Sequence, residues 1–159
     1  MVWRPPATLG EHGAHSVQTY IGTKIIQAEP QDKKVGESGI EYGYKVVYPD
    51  GYISWSPAIA FEQAYRLTSG MPFGLAIEAL KKGLRVSRAG WNGKGMYLAL
   101  VSGGVTNHPQ VEAGADVEAL PSIGMWTVNA HGRKAFLNGW LASQTDMLSD
   151  DWLIVGEVA

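Results

Sequence analysis

The chain has 159 residues, of which 45% are hydrophobic and 18% charged, a balance that fits a globular protein and excludes a wholly disordered one. It contains no cysteine, which excludes disulfides, thiolate catalysis and cysteine-based zinc sites together and fits a cytosolic setting. Charge is spread evenly: residues 1–70 carry six Lys/Arg against seven Asp/Glu, and residues 71–159 carry seven against eight. Long nucleic acid calls for a basic stripe that this sequence lacks, so a nucleotide partner would be small and held in a pocket. No run of eighteen apolar residues predicts a membrane span.

In chain order, residues 1–18 have no apolar signal-peptide core and read as a flexible arm. "TYIGTKIIQAEP" (19–30) mixes β-branched and aromatic residues before Pro30 and predicts a strand. "QDKKVGESGIE" (31–41) is polar and glycine-containing, which predicts a loop. "YGYKVVYPDGYISWSP" (42–57) predicts a hairpin turning at Pro49-Asp50-Gly51, where Gly51 takes positive φ. Ser56 offers an N-cap and Pro57 a first-turn proline for a helix over 58–66. Residues 19–70 thus form a small strand, hairpin and helix unit.

The second unit, 71–159, opens on "MPFGLAIEALKKG". Phe73, Ala76, Ile77, Leu80 and Leu84 fall at the spacing of one helical face, with Lys81, Lys82 and Gly83 at its end. Strands are predicted at 84–88, 96–102, 121–128 and 152–158. The glycine-rich segment 102–120 reads as a long loop or lid. The fold class is α+β: a small antiparallel β-rich domain packed on an N-terminal amphipathic helix, preceded by the 19–70 unit.

Candidate chemistry narrows quickly. His12, His15, His108 and His131 are scattered, with no metal-ligand spacing. "GWNGKG" (90–95) matches neither the P-loop nor the GxGxxG pattern and precedes a strand, so it is either a glycine turn or a backbone nest for one phosphate beside Arg88 or Lys94. Asp146, Asp150 and Asp151 form an acidic cluster that would serve a glycosidase-type pair or simply a turn before the last strand. "NGWLASQTDML" (138–148) sets Trp140 beside Ser143, Gln144, Thr145 and Asp146. Those groups suit ribose hydroxyls and base edges, yet S/Q/T/D runs also make caps and turns. Trp91 and Trp140 are platforms for a base or plugs of a core. In the first unit, Tyr52 and Trp55 read as strand packing.

Residues 71–155 resemble, in order, the Thoeris anti-defence 2 family of small phage proteins. The matching blocks are "MPFGLAIEALKKGLRVSRAGWNGKGMYLALV", "LPSIGMWTV" and "WLASQTDMLSDDWLIV", with 126–140 as the hairpin approach to the last of them. The resemblance implies no catalysis and no cofactor. It implies a sponge that binds a cyclic ADP-ribose signal in the cytoplasm of the infected host, and in some members cyclic oligonucleotides, with pockets between the protomers of a homotetramer. Carried onto the two motifs, it makes Trp91 and Trp140 aromatic walls. Asn92, Ser143, Gln144 and Asp146 would take sugar hydroxyls or the base edge, Arg88 would face phosphate, and Lys94 and Met96 complete the ligand-binding set. The competing readings are an enzyme that cleaves such a nucleotide through Asp146 or Asp151, and a structural phage protein. Residues 1–70 lie outside the resemblance and have no assigned role.

Overall fold

The computed structural model describes residues 19, 21–91, 95–105 and 118–156. The chain is α+β, and the described residues form two principal antiparallel sheets and three short helices. The first sheet has the order β1-β4-β5, formed by β1 (Gln27–Pro30), β4 (Gly43–Val47) and β5 (Ile53–Pro57). Between its first two strands lies a separate hairpin of β2 (Lys33–Val35) and β3 (Gly39–Glu41), paired Lys33 to Glu41. Helix α1 (Ala58–Ala64) packs against β4 and β5. Phe61 stacks on Tyr44 at 4.2 Å and on Tyr65 at 4.9 Å, and Val46 of β4 is buried.

Several expectations for this segment need correction. The strand predicted over 19–30 is regular only from Gln27, because this edge of the sheet pairs with β4 only along Gln27–Pro30. The predicted loop at 31–41 is the β2–β3 hairpin, turned by Gly36 at φ 67°. Ser56 is not the helix cap: it pairs with Tyr44 inside the sheet, and Pro57 takes the N-cap position without a side-chain bond. The β4–β5 turn is as expected, with Gly51 at φ 84° and the Asp50 carboxylate accepting the Tyr52 amide at 3.0 Å. Trp55 donates its indole N–H to the Gln31 carbonyl at 2.6 Å and lies under the Lys33 ammonium, whereas Tyr52 is largely exposed.

The second sheet has the order β11-β10-β7-β6-β12. Its strands are β6 (Arg85–Arg88), β7 (Tyr97–Val101), β10 (Ser122–Val128), β11 (Lys134–Leu137) and β12 (Trp152–Val155). Two small strands, β8 (Gly104–Val105) and β9 (Glu118–Ala119), pair with each other within the predicted long loop, whose centre lies outside the described residues. Four strands meander, and β12 returns to the far edge to pair with β6. Helix α2 (Phe73–Lys81) lies over β6, β7 and β12, so its apolar stripe meets one face of the sheet. Pro72 is its N-cap, and Gly83 at φ 82° follows its end.

The core holds Met71, Ala76, Ala79, Leu80, Val86, Leu98 and Trp152, with Phe73, Trp91 and Trp140 packed against it. The register explains the sidedness. Val86 faces Leu98 across β6–β7 and both are buried under α2, so the alternate residue Tyr97 points to the opposite face. There Tyr97 stacks on its cross-strand partner Trp126 at 5.3 Å, and Trp126 meets Phe136 at 4.3 Å.

Candidate functional site

The two sequence motifs meet at the end of the sheet where β6 and β12 pair. Arg88 closes β6, directly opposite Trp152. Residues 89–90 then turn the chain, and Trp91 folds back over the core. On the other side, Trp140 follows β11, its amide bonded to the Ile123 carbonyl at 2.8 Å. Trp91 and Trp140 stand edge to face, 6.1 Å apart, and both lean on Trp152, at 5.5 and 6.2 Å. Phe73 of α2 completes the group, 5.3 Å from Trp152. Trp152 is fully buried, whereas Trp91 and Trp140 are half-buried and keep part of each ring in solvent. The two candidate rings are therefore both core plugs and partly open surfaces.

The polar run after Trp140 is a helix start. Helix α3 (Gln144–Met147) has Ser143 as its N-cap. The Ser143 hydroxyl accepts the Asp146 amide at 3.1 Å, and the Asp146 carboxylate accepts the Ser143 amide at 3.1 Å. This reciprocal arrangement satisfies two amides that a helix start leaves free. Asp146 also accepts the Ser143 hydroxyl at 2.6 Å through the same Oδ2. Its backbone carbonyl accepts the Trp152 indole N–H at 2.9 Å.

A three-membered ionic network ties the motifs together. Arg88 donates through Nη1 to Asp146 Oδ1 and through Nε to Asp151 Oδ1, both at 2.8 Å. Asp151 Oδ2 accepts the Gly90 amide at 3.0 Å, and Asp146 Oδ1 receives a long contact from the Trp91 indole at 3.5 Å. The side chains of Arg88 and Asp146 are only 13% and 14% exposed. Burial favours a neutral Asp146, but the Ser143 hydroxyl, Arg88 and the Ser143 amide outweigh it and hold the carboxyl below its ordinary range. Arg88 likewise holds Asp151 low, against burial and with help from the Gly90 amide. The two carboxylates, Asp151 first, raise the Arg88 pKa in turn.

Of the residues expected to form the site, Arg88, Trp91, Trp140, Ser143 and Asp146 come together. Gln144 is the exposed first residue of α3, and Met96 is half-buried just before β7. Asn92 and Lys94 lie outside the described residues, as do His12, His15 and His108. Arg88, expected to face phosphate, is held by two carboxylates, and Asp146, expected to meet sugar or base, caps a helix and pairs with Arg88. Asp151, read from the sequence as a candidate acid or a turn residue, enters the site as a partner of Arg88 and the Gly90 amide, and Trp152 enters it without having been singled out. The cap was legible in the S-x-x-D spacing of Ser143 and Asp146; the Arg88 pairings, 58 and 63 residues apart in the chain, left no local signal.

Among the described residues no three His, Cys, Asp or Glu side chains converge on a metal geometry. None of the described helices is long and apolar enough to cross a membrane. A groove of about 240 Å³ opens on the opposite face of the sheet, lined by Gly95, Tyr97, Trp126, Thr127, Val128 and Lys134, and is separate from the Trp91 cluster.

Fold and site together define a small α+β domain in which a helix-backed antiparallel sheet carries an aromatic cluster locked by an arginine–carboxylate network. Residues 71–155 match the family model of the Thoeris anti-defense 2-like domain. The chain belongs to that family. It is similar to the protein named Thoeris anti-defense 2 of Bacillus phage SP01, 37% identical over 87 residues, covering 54% of this chain and 94% of that relative. The α2 helix, the Trp91 turn, the Trp140–α3 segment and β12 all lie within the matched span.

Proposed function

We propose that this is a phage-encoded immune-evasion protein that binds a cyclic ADP-ribose-type signal, the 1″–2′ or 1″–3′ isomer, and withholds it from the Thoeris effector. Residues 71–159 carry this function, and the 19–70 segment is a separate small unit. The observation that carries the reading is the meeting of the two family motifs: Trp91 and Trp140, 49 positions apart in the chain, share one partly open aromatic corner beside the α3 cap. Exposed ring area of this kind stacks a nucleobase at ~1–3 kcal/mol per contact. Ser143, Gln144 and Asn92 are then the groups for sugar hydroxyls and the base edge, with Lys94 and Met96 completing the ligand-binding set. The site acts within a homotetramer whose protomers share pockets, in the host cytoplasm.

Sequestration without turnover is supported by the state of the two acids. A glycosidase-type acid needs a carboxyl whose pKa is raised, and Asp146 and Asp151 are both lowered. A sponge also needs tight binding; nanomolar affinity corresponds to roughly −12 kcal/mol, which a rigid, preformed site makes attainable by lowering the ordering cost.

Calorimetric titration with both cyclic ADP-ribose isomers, cyclic dinucleotides and linear ADP-ribose tests the reading. Submicromolar binding of one cyclic ADP-ribose isomer, with linear ADP-ribose far weaker, is the expected result. Preference for a cyclic dinucleotide would reassign the ligand, and no binding to any of the panel would leave the family fold with a structural role.

A further inference from the structure

The aromatic corner depends on a residue four positions beyond the end of α3 and on a turn that does little to hold itself. We infer that Asp151 is the positioning residue of the Trp91 turn, and that Arg88 serves the site by linking Asp151 to Asp146 and not by touching the ligand. The inference rests on the proposed binding role of Trp91.

Asp151 fixes three consecutive residues. Its Oδ1 accepts Arg88 Nε at 2.8 Å, its backbone carbonyl accepts the Ala89 amide at 3.0 Å, and its Oδ2 accepts the Gly90 amide at 3.0 Å. The turn's own bond, from the Trp91 amide to the Arg88 carbonyl, is a long 3.3 Å. Arg88 then reaches Asp146 through Nη1, and Asp146 Oδ1 meets the Trp91 indole. The chain of contacts closes on itself: Asp151, Arg88, Asp146, Trp91. A ring set this way is oriented before any ligand arrives, which lowers the ordering cost of binding.

The fit at Gly90 is tight. A Cβ there would sit 3.0 Å from Asp151 Oδ2, although the backbone conformation itself is open to alanine. An alanine there would press on the carboxylate and make it give by a few tenths of an ångström. The network holds one cation against two carboxylates. Its residual negative charge turns the phosphates of a nucleotide away from α3 and leaves the sugar or base to Trp91 and Trp140. A phosphate-binding Arg88 would instead have to share its guanidinium with the two carboxylates that already hold it.

The test compares wild type with Asp151→Asn, reading three signals: the ¹⁵N-resolved indole resonance of Trp91, assigned with Trp91→Phe; the Kd for the cyclic ADP-ribose isomers; and the salt dependence of that Kd. A positioning role predicts that Asp151→Asn shifts or broadens the Trp91 resonance and weakens binding about tenfold, with the salt slope of wild type. Tighter binding with a steeper salt slope would overturn the inference, because it would mean that the freed Arg88 meets phosphate. An unmoved Trp91 resonance would overturn it as well. If Asp151→Asn does not fold, Gly90→Ala perturbs the same contact and is read the same way. Should wild type bind none of the nucleotides, the binding reading falls, and the Trp91 resonance still decides whether Asp151 positions the turn.

Discussion

Replacing Trp152 with phenylalanine should weaken the core and the candidate site in one step. Trp152 is fully buried and its indole N–H is held by the Asp146 carbonyl at 2.9 Å. Losing that bond costs ~1 kcal/mol, more if the carbonyl then has no partner. The smaller ring also leaves a gap beneath Trp91 and Trp140, which rest on it at 5.5 and 6.2 Å. A partial cavity of that kind adds on the order of 1–2 kcal/mol, less than the 3–5 of a full truncation to alanine. The total is about 2–3 kcal/mol, or roughly 10–20 °C in melting temperature for a domain of this size. Urea unfolding monitored by circular dichroism should show the midpoint falling with an unchanged slope. A loss below about 0.5 kcal/mol would refute the claim that Trp152 is the common support of the two half-exposed tryptophans.

Ser143→Ala removes both bonds of its hydroxyl, one accepted from the Asp146 amide and one donated to the Asp146 carboxylate, leaves the backbone half of the cap, and should cost ~1 kcal/mol by chemical denaturation. Acid stability should follow Asp146 and Asp151: their folded pKa values are lowered, so their stabilisation is complete above the ordinary carboxylate value of about 4 and is lost as pH falls through the lowered values. Denaturation midpoints measured from pH 8 to 2 should be level near neutrality and drop only at the acid end, and Asp146→Asn should flatten that drop. Gly124→Ala should destabilise by ~1–3 kcal/mol, because its Cβ would overlap the Phe136 ring; adding Phe136→Ala should cost less than the two single changes summed, as a double-mutant cycle would measure.

Much of the fold was legible because it is written in local periodicity. The Phe73–Leu80 stripe needed only helical spacing, and its buried members Ala76 and Leu80 lie where that spacing puts them. Pro49-Asp50-Gly51 carried its turn in its own chemistry, through Gly51 at positive φ and the Asp50 side chain. The misreadings arose where tertiary pairing overrode local signals. Ser56-Pro57 has the composition of a helix start, yet the strand continues through both residues because Tyr44 and Gly43 pair with them. The hairpin at 33–41 lacks an apolar alternation, since its side chains are all exposed. At the site, the residue types were legible and their partners were not. Trp91, Trp140, Arg88 and Asp146 stood out as chemistry, but only the antiparallel return of β12 brings Asp151 against Arg88.

In the proposed function, the aromatic corner holds a cyclic ADP-ribose-type signal without consuming it. Equilibrium dialysis of the protein against the better-bound isomer, followed by heat denaturation and mass analysis of what is released, tests it directly. Free nucleotide should fall in proportion to protein, the same nucleotide should be recovered unchanged, and Trp91→Ala should abolish the depletion. A linear or otherwise altered product, or undiminished depletion by Trp91→Ala, would contradict it.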